Sequence, residues 1–253
     1  MICDLQKASV WKRISAYLFD GILLVILMVG FAFLLSTILG YDGYTAQLEA
    51  LSQSYEARYG VEFDLSVEEY NALSETEKQT YDTALQAFSA DAEVSYTYTM
   101  LFHLTLLITT FAILLAYLLW ELLLPLLLGN GQTLGKKIFG LALVRVDCVK
   151  LSPLQLFIRT VLGKFTVETM IPVFLVIMLL FGILGPLGIA GILLLGLLQL
   201  GLFLATKNHS AIHDLLAGTV AVELSSQMIF ASVEERIEYQ KRLHAEAAEH
   251  SDR

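Results

Sequence analysis

Charge is scarce in this sequence where it would matter most. Only 16% of the 253 residues are charged, and two long stretches are nearly bare. From Ile14 to Leu39 the single formal charge is Asp20, and from Thr169 to Thr206 there is none. Runs of that kind exclude an ordinary soluble domain. Cysteine is almost missing too: Cys3 and Cys148 are the whole supply, so thiolate metal chemistry has no support. Both lie in segments read below as cytosolic, where a structural disulfide is not expected. No serine, cysteine or histidine constellation points to hydrolysis, and the chain is read as no enzyme. Basic residues gather only where they would flank a membrane, which argues against nucleic-acid binding.

What remains is mostly apolar, with 56% hydrophobic residues and a mean hydropathy of +0.66. The Ile14–Leu39 run is longer than the roughly 20 residues a helix needs to cross a bilayer. It is also too long for a signal peptide and lacks a small-residue cleavage site. Asp20 then lies about 10 Å inside the first span; a lone carboxylate costs about 2.5 to 3.5 kcal/mol at a helix centre, less toward the ends, and calls for a partner. Arg13 is two turns back on nearly the same face, too far to pair without other helices. Lys7, Lys12 and Arg13 put the N-terminus in the cytosol by the positive-inside rule.

Further spans are expected at about 98–124, 169–184 and 188–206, giving a transmembrane domain over 10–224. The net charge of −9 hides two acidic regions. One is 41–95, expected outside the cytosol as a helical insert: Ser66 to Glu69 and Ser74 to Glu77 fit capping boxes, and Tyr81, Leu85 and Phe88 make an apolar stripe. Its tyrosines, Tyr55, Tyr59 and Tyr70 among them, fit either a partner surface or a cap that packs on itself. The other is the tail, 225–253, read as a charged, solvated cytosolic helix with a Glu238–Arg242 pair.

Pro125 removes the hydrogen bond to the Glu121 carbonyl and predicts a kink or a helix end. The connection 129–150 is glycine-rich and basic. Leu141 to Val146 has strand character, turns back at Asp147–Cys148, and is expected to pair with the strand near Thr219 to Leu224. Ser152 and Pro153 start a helix that carries Arg159 and Lys164 and is expected to lie along the inner interface. Gly182 to Gly188 breaks the last apolar region in two, and Gly188, Gly191, Gly196 and Gly201 suit close helix packing. The fold class is an all-α polytopic membrane protein of four transmembrane helices, with a small cytosolic β element, an interfacial helix and an extracytosolic helical insert.

Two readings of the charges stay open. Asp20, Asp214 and Glu121 can form a carboxylate cluster with Arg13 as counter-charge, able to trade a proton for a cation because neighbouring carboxylates raise one another's pKa. Alternatively Arg13 and Asp214 lock the last segment onto the first span, and Asp20 accepts hydrogen bonds. Gly131 to Lys137 is too short for a phosphate loop, and Lys137 stands where a serine or threonine would hold magnesium. His209 and His213 lack a convincing third metal ligand, so neither a metal nor a cofactor is assigned.

Three stretches in succession resemble the RDD family of membrane proteins: Arg13 with Asp20; Gly131-Gln132-Thr133-Leu134-Gly135-Lys136-Lys137-Ile138-Phe139-Gly140; and His213-Asp214-Leu215-Leu216-Ala217-Gly218-Thr219. The resemblance implies that Arg13, Asp20 and Asp214 are the arginine and two aspartates that name the family, and that Gly131, Thr133, Gly135, Lys136 and Gly140 carry its glycine-rich motif. The chain is expected in a bacterial plasma membrane, and four spans from a cytosolic N-terminus return the C-terminus to the cytosol. Some members have been proposed to exchange cations for protons, whereas others work inside membrane-protein assemblies. The partners implied are the lipid bilayer, a monovalent cation or proton, and a protein at the insert or tail, with oligomerisation left open. The long 41–95 segment and the doubled last apolar region depart from the family's usual pattern.

Overall fold

A computed structural model describes residues 5–6, 8–180, 182–206 and 210–251. Cys3, Lys7, Lys207, Asn208 and His209 lie outside them. The chain divides into two units, Val29–Ala112 and Met1–Met28 with Ile113–Arg253. Two long helices, α1 (Val10–Leu39) and α5 (Ala92–Leu128), run through both.

The Val29–Ala112 unit carries the acidic insert on helices α2 (Tyr41–Tyr59), α3 (Val67–Ala72) and α4 (Glu75–Ala90). Ser66 and Ser74 each cap a helix, and Glu69 and Glu77 reach back to complete both capping boxes. Asp91 is the single residue between α4 and α5. It accepts from the amides of Glu93 and Val94 at 2.7 and 3.3 Å and from the Tyr55 hydroxyl at 2.7 Å. That caps α5 and ties α2 to the same point. These donors hold the partly exposed Asp91 carboxyl below its usual range, the Tyr55 hydroxyl contributing most.

The aromatic rings of the insert pack on one another: Phe88 against Tyr55 and Phe63, and Tyr81 against Phe63 and Tyr70. On α4 it is Ala84, fully buried, that joins Tyr81 and Phe88 inside, whereas Leu85 is 41% exposed. The inner stripe is thus shifted by one residue from the sequence expectation. Ser74→Ala is expected to cost about 1 kcal/mol, seen as a several-fold faster hydrogen exchange of the first amides of α4.

In the other unit, α5 continues past Pro125 because its backbone widens into a π-helical turn over Leu118–Leu123, where the Leu124 amide donates to the Leu119 carbonyl. The Glu121 carbonyl that proline leaves without its helical donor accepts instead from the Thr160 hydroxyl at 3.0 Å. After α5, Thr133 caps the short helix α6 (Leu134–Ile138). Strand β1 (Leu141–Arg145) then pairs antiparallel with β2 (Thr219–Glu223), Leu141 opposite Glu223 and Arg145 opposite Thr219. The chain turns at Cys148 and returns as far as Lys150, which bridges to Val144. Ala142, Val144, Val220 and Val222 form the core of this β element.

Cys148 is buried and disulfide-bonded, contrary to the expectation of a free thiol. The tail helix α10 (Val233–Ser251) is docked at its start as well as solvated. Arg236 lies 3.7 Å from Asp147, and Tyr239 packs on Phe230. Arg242 sits over the Tyr239 ring, and no Glu238–Arg242 pair forms among the described residues.

Helix α7 runs without a break from Pro153 to Leu180, with π-helical turns over Ile158–Met170. The expected interfacial helix and third span are therefore one element. Ser152 and Gln155 form its capping box. Together with α1 and α5, α7 is long and apolar enough to cross a membrane. A turn at Gly182 leads to α8 (Pro186–Ala205), a shorter apolar helix that comes close to α7 where Gly188 faces Leu179 and Gly191 faces Leu175. Helix α9 (Ile212–Ala217) follows and enters β2.

Candidate functional site

Asp20, 4% exposed on α1, is held by donors alone. Thr133 donates its hydroxyl to Oδ2, while the Gly135 amide donates to Oδ1 at 2.8 Å and the Trp120 indole to the same oxygen at 3.2 Å. The glycine-rich motif is thus a carboxylate-binding loop. Its closeness demands glycine: a Cβ on Gly135 would stand 2.5 Å from the Ala16 carbonyl oxygen and 2.8 Å from the Asp20 carboxylate. Gly131 and Gly140 supply left-handed turns on either side.

Glu121 on α5 pairs with Lys164 of α7 at 2.5 Å and with Lys136 of α6 at 3.7 Å. Lys136 also reaches the Thr133 hydroxyl at 3.0 Å, linking this pair to the Asp20 cradle. Burial pushes the Lys136 ammonium down to about 8 against the pull of Glu121.

Asp214 on α9 accepts from Arg159 of α7 at 3.1 Å and from the Thr219 hydroxyl at 2.9 Å, with Arg13 of α1 at 4.0 Å. Burial raises its carboxyl, but Arg159 first, then His213, Thr219 and Arg13, overcome that and hold it down to about 2. Beside it His213 donates its backbone amide to Glu168 Oε1 at 3.0 Å. Its ring Nδ1 meets Glu168 Oε2 at 2.7 Å, while Nε2 lies 3.5 Å from Asp214. Burial, then Arg159, lower the imidazole's pKa. α9 sits this close because position 163 has no side chain: a Cβ there would be 2.5 Å from the Cβ of His213 and 2.6 Å from its Cα.

These groups line one cavity of about 430 Å³, with lining residues from α1, α5, α6, α7, α8, α9 and both strands. Arg13, Asp20, Glu121 and Asp214, singled out in the sequence, all face it, as does Lys136. The three carboxylates do not form a mutually repelling cluster. Each has its own partners: hydrogen-bond donors for Asp20, lysines for Glu121, arginines for Asp214. Arg159 and Lys164, expected at the interface, are buried here at 4% and 7% exposure. A long cation beside a span is read as snorkelling to water, yet these two find carboxylates on neighbouring elements at shorter range.

Sequence reasoning did not pick out Glu168, Trp120 or the role of Gln199. The available signal was Glu168 itself, the last charge before the bare stretch, and Gln199, the one strongly polar side chain within it. The Gln199 side chain hydrogen-bonds Glu168, while its carbonyl oxygen, like the Arg159 Nε, is buried with no hydrogen-bond partner. No group of three or more histidine, cysteine, aspartate or glutamate side chains fit to hold a metal occurs among the described residues.

No curated protein and no solved structure matches the chain. The RDD family model matches residues 7–218, a span that includes every carboxylate and cation of this cavity, and the chain belongs to the RDD family.

Proposed function

We propose that this RDD-family membrane protein exchanges a small monovalent cation for protons through the ion-lined cavity. The observation that carries the reading is the concentration of charge: Arg13, Lys136, Arg159 and Lys164 face Asp20, Glu121, Glu168 and Asp214 across a space of about 430 Å³ among apolar helices. Ionisable groups at such depth are expensive and mark ion and proton pathways. Well-packed apolar residues would hold helices together as well or better than buried ion pairs, so packing alone does not account for them. In this reading α8 is a fourth span, the basic 129–150 connection and both termini face the cytosol, and the membrane is the plasma membrane.

A second reading has its own observation. Asp20 is saturated by Thr133, Gly135 and Trp120, which suits a joint between the first helix and the glycine-rich loop. There the protein is a scaffold or accessory subunit whose insert or tail meets a partner.

Proton flux driven by lithium, sodium or potassium gradients in liposomes separates the two. Gly21 lines the cavity, and a Cβ added to it meets nothing within 4 Å. Gly21→Leu should therefore fill the space without removing a charge. Exchange is expected in the wild type and at least a tenfold loss in Gly21→Leu at unchanged thermal stability. Absence of wild-type flux with all three cations would overturn exchange in favour of the scaffold.

A further inference from the structure

We propose that Glu168 and Gln199 form the cation site of this cavity, and that a proton shared by Glu168 and His213 competes with the cation for it. The inference rests on the exchange reading and names the residues that would perform it.

Glu168 differs from the other carboxylates of the cavity. Glu121 and Asp214 each have two cations within 4 Å. Among the described residues Glu168 has no lysine or arginine at that range; its partners are the backbone amide and the titratable ring of His213 and the Gln199 side chain. Asp20 also lacks a directly paired cation, but its three donors do not titrate near neutrality and it is 4% exposed. The Glu168 side chain keeps 16% exposure. It is the carboxylate that a small ion can reach.

Gln199 supplies the second ligand. A carboxylate only accepts hydrogen bonds, so the amide nitrogen of Gln199 must be the atom turned to Glu168. Its carbonyl oxygen is left buried without a donor. A buried acceptor in that state is unfavourable in an empty cavity. It becomes an asset when a cation arrives, because carbonyl and carboxylate oxygens replace the hydration shell that the ion gives up. One carboxylate charge matches one monovalent ion.

The competition follows from the surrounding charge. Apart from the Glu168–His213 pair, four cations of the cavity face three carboxylates. With the pair deprotonated the cavity is neutral; one proton or one monovalent cation brings it to the same single positive charge. Both together would add a second positive charge beside Arg159 and Lys164, which already disfavour a proton on His213.

The other groups facing the pair do not supply a substitute proton carrier. From α1 come Arg13, whose charge is fixed, and Tyr17; from α5, Glu121, held by its lysines, and Tyr117, whose hydroxyl bonds Thr169 at 2.9 Å. Lys136 of α6 is engaged by Glu121 and Thr133. Asp214 on α9 stays ionised near neutrality, which leaves His213 as the link between it and Glu168.

The test reads the site without transport. In detergent-solubilised full-length protein, the ¹⁵N histidine spectrum is titrated with pH in sodium, lithium, potassium or choline chloride at constant ionic strength, the His213 signal being assigned by its loss in His213→Asn. The His213 midpoint is expected to fall by about one pH unit, a tenfold competition, on replacing choline with the preferred cation. Gln199→Leu and Glu168→Gln, both checked for thermal unfolding, are expected to remove that dependence. Liposome flux is measured in parallel. A midpoint insensitive to all three cations in a protein that exchanges would overturn the site and leave exchange standing. A cation-sensitive midpoint without flux would support the site and overturn exchange.

Discussion

Arg159→Ala is expected to be the most damaging single substitution, lowering stability by about 3 to 5 kcal/mol as removal of one partner of a buried ion pair does. Arg159 and Asp214 are 4% and 3% exposed and meet at 3.1 Å. Arg13, at 4.0 Å from the other oxygen, is not placed to take over. Alanine therefore leaves Asp214 buried with the Thr219 hydroxyl, the His213 ring at 3.5 Å and a distant guanidinium. Replacing both partners by apolar residues, Arg159→Met with Asp214→Leu, should recover most of the loss, since no buried charge is then stranded.

The pH dependence carries a sign. Asp214 is held down to about 2, below its unfolded value of 3.8. Its contribution is thus present above pH 4 or so and fades as pH falls toward about 2. In Arg159→Ala the burial that remains favours the protonated acid, so acid should relieve the variant rather than harm it. Unfolding in mixed detergent micelles at neutral and acid pH reads both effects. Equal stability of variant and wild type at pH 7 would show that the pair contributes nothing.

Gly135→Ala is expected to cost about 3 kcal/mol, the worth of two hydrogen bonds to a charged acceptor at about 1.5 kcal/mol each. The added methyl would meet the Ala16 backbone at 2.5 Å as well as Asp20, and a hydrogen-bonded helix backbone does not yield as a flexible side chain does. The loop must lift, taking the Gly135 amide and the Thr133 hydroxyl off Asp20 and drawing Lys136 from Glu121. Gly21→Ala, one residue beyond Asp20 and meeting nothing within 4 Å, is the matched control and should be near neutral. Faster hydrogen exchange of 133–139 in the first variant and not in the second checks the contrast.

Much of this architecture is written in local signals. Ser66 and Ser74 start helices because their partners stand three residues on. Pro125 marks where α5 must loosen, and the alternation of Leu141 to Val146 and Thr219 to Glu223 anticipates a two-stranded pairing, though not its register. Asp20, Glu121 and Asp214 announce themselves by cost, since a carboxylate in an apolar run needs a reason. Arg159 and Lys164 were misread because a basic side chain beside a span has two equally physical fates, water or a buried acid, and the choice depends on residues 43 and 55 positions away. Glu168 was overlooked for the same reason: its partners, Gln199 and His213, are distant in the chain. The exchange of Leu85 for Ala84 on α4 was beyond a periodicity count, because both positions stand three or four residues from Tyr81 and from Phe88, and aromatic packing chose between them.

The separation of the paired charges along the chain bears on how the protein is made. Asp20 enters the bilayer 113 residues before Thr133 exists to receive it, and Arg159 waits another 55 for Asp214. During synthesis α1 and α7 each carry a charge whose partner lies in a later segment, and neither site is complete until that segment follows. A ribosome stalled before α9 leaves Arg13 and Arg159 without the one acid that both of them face.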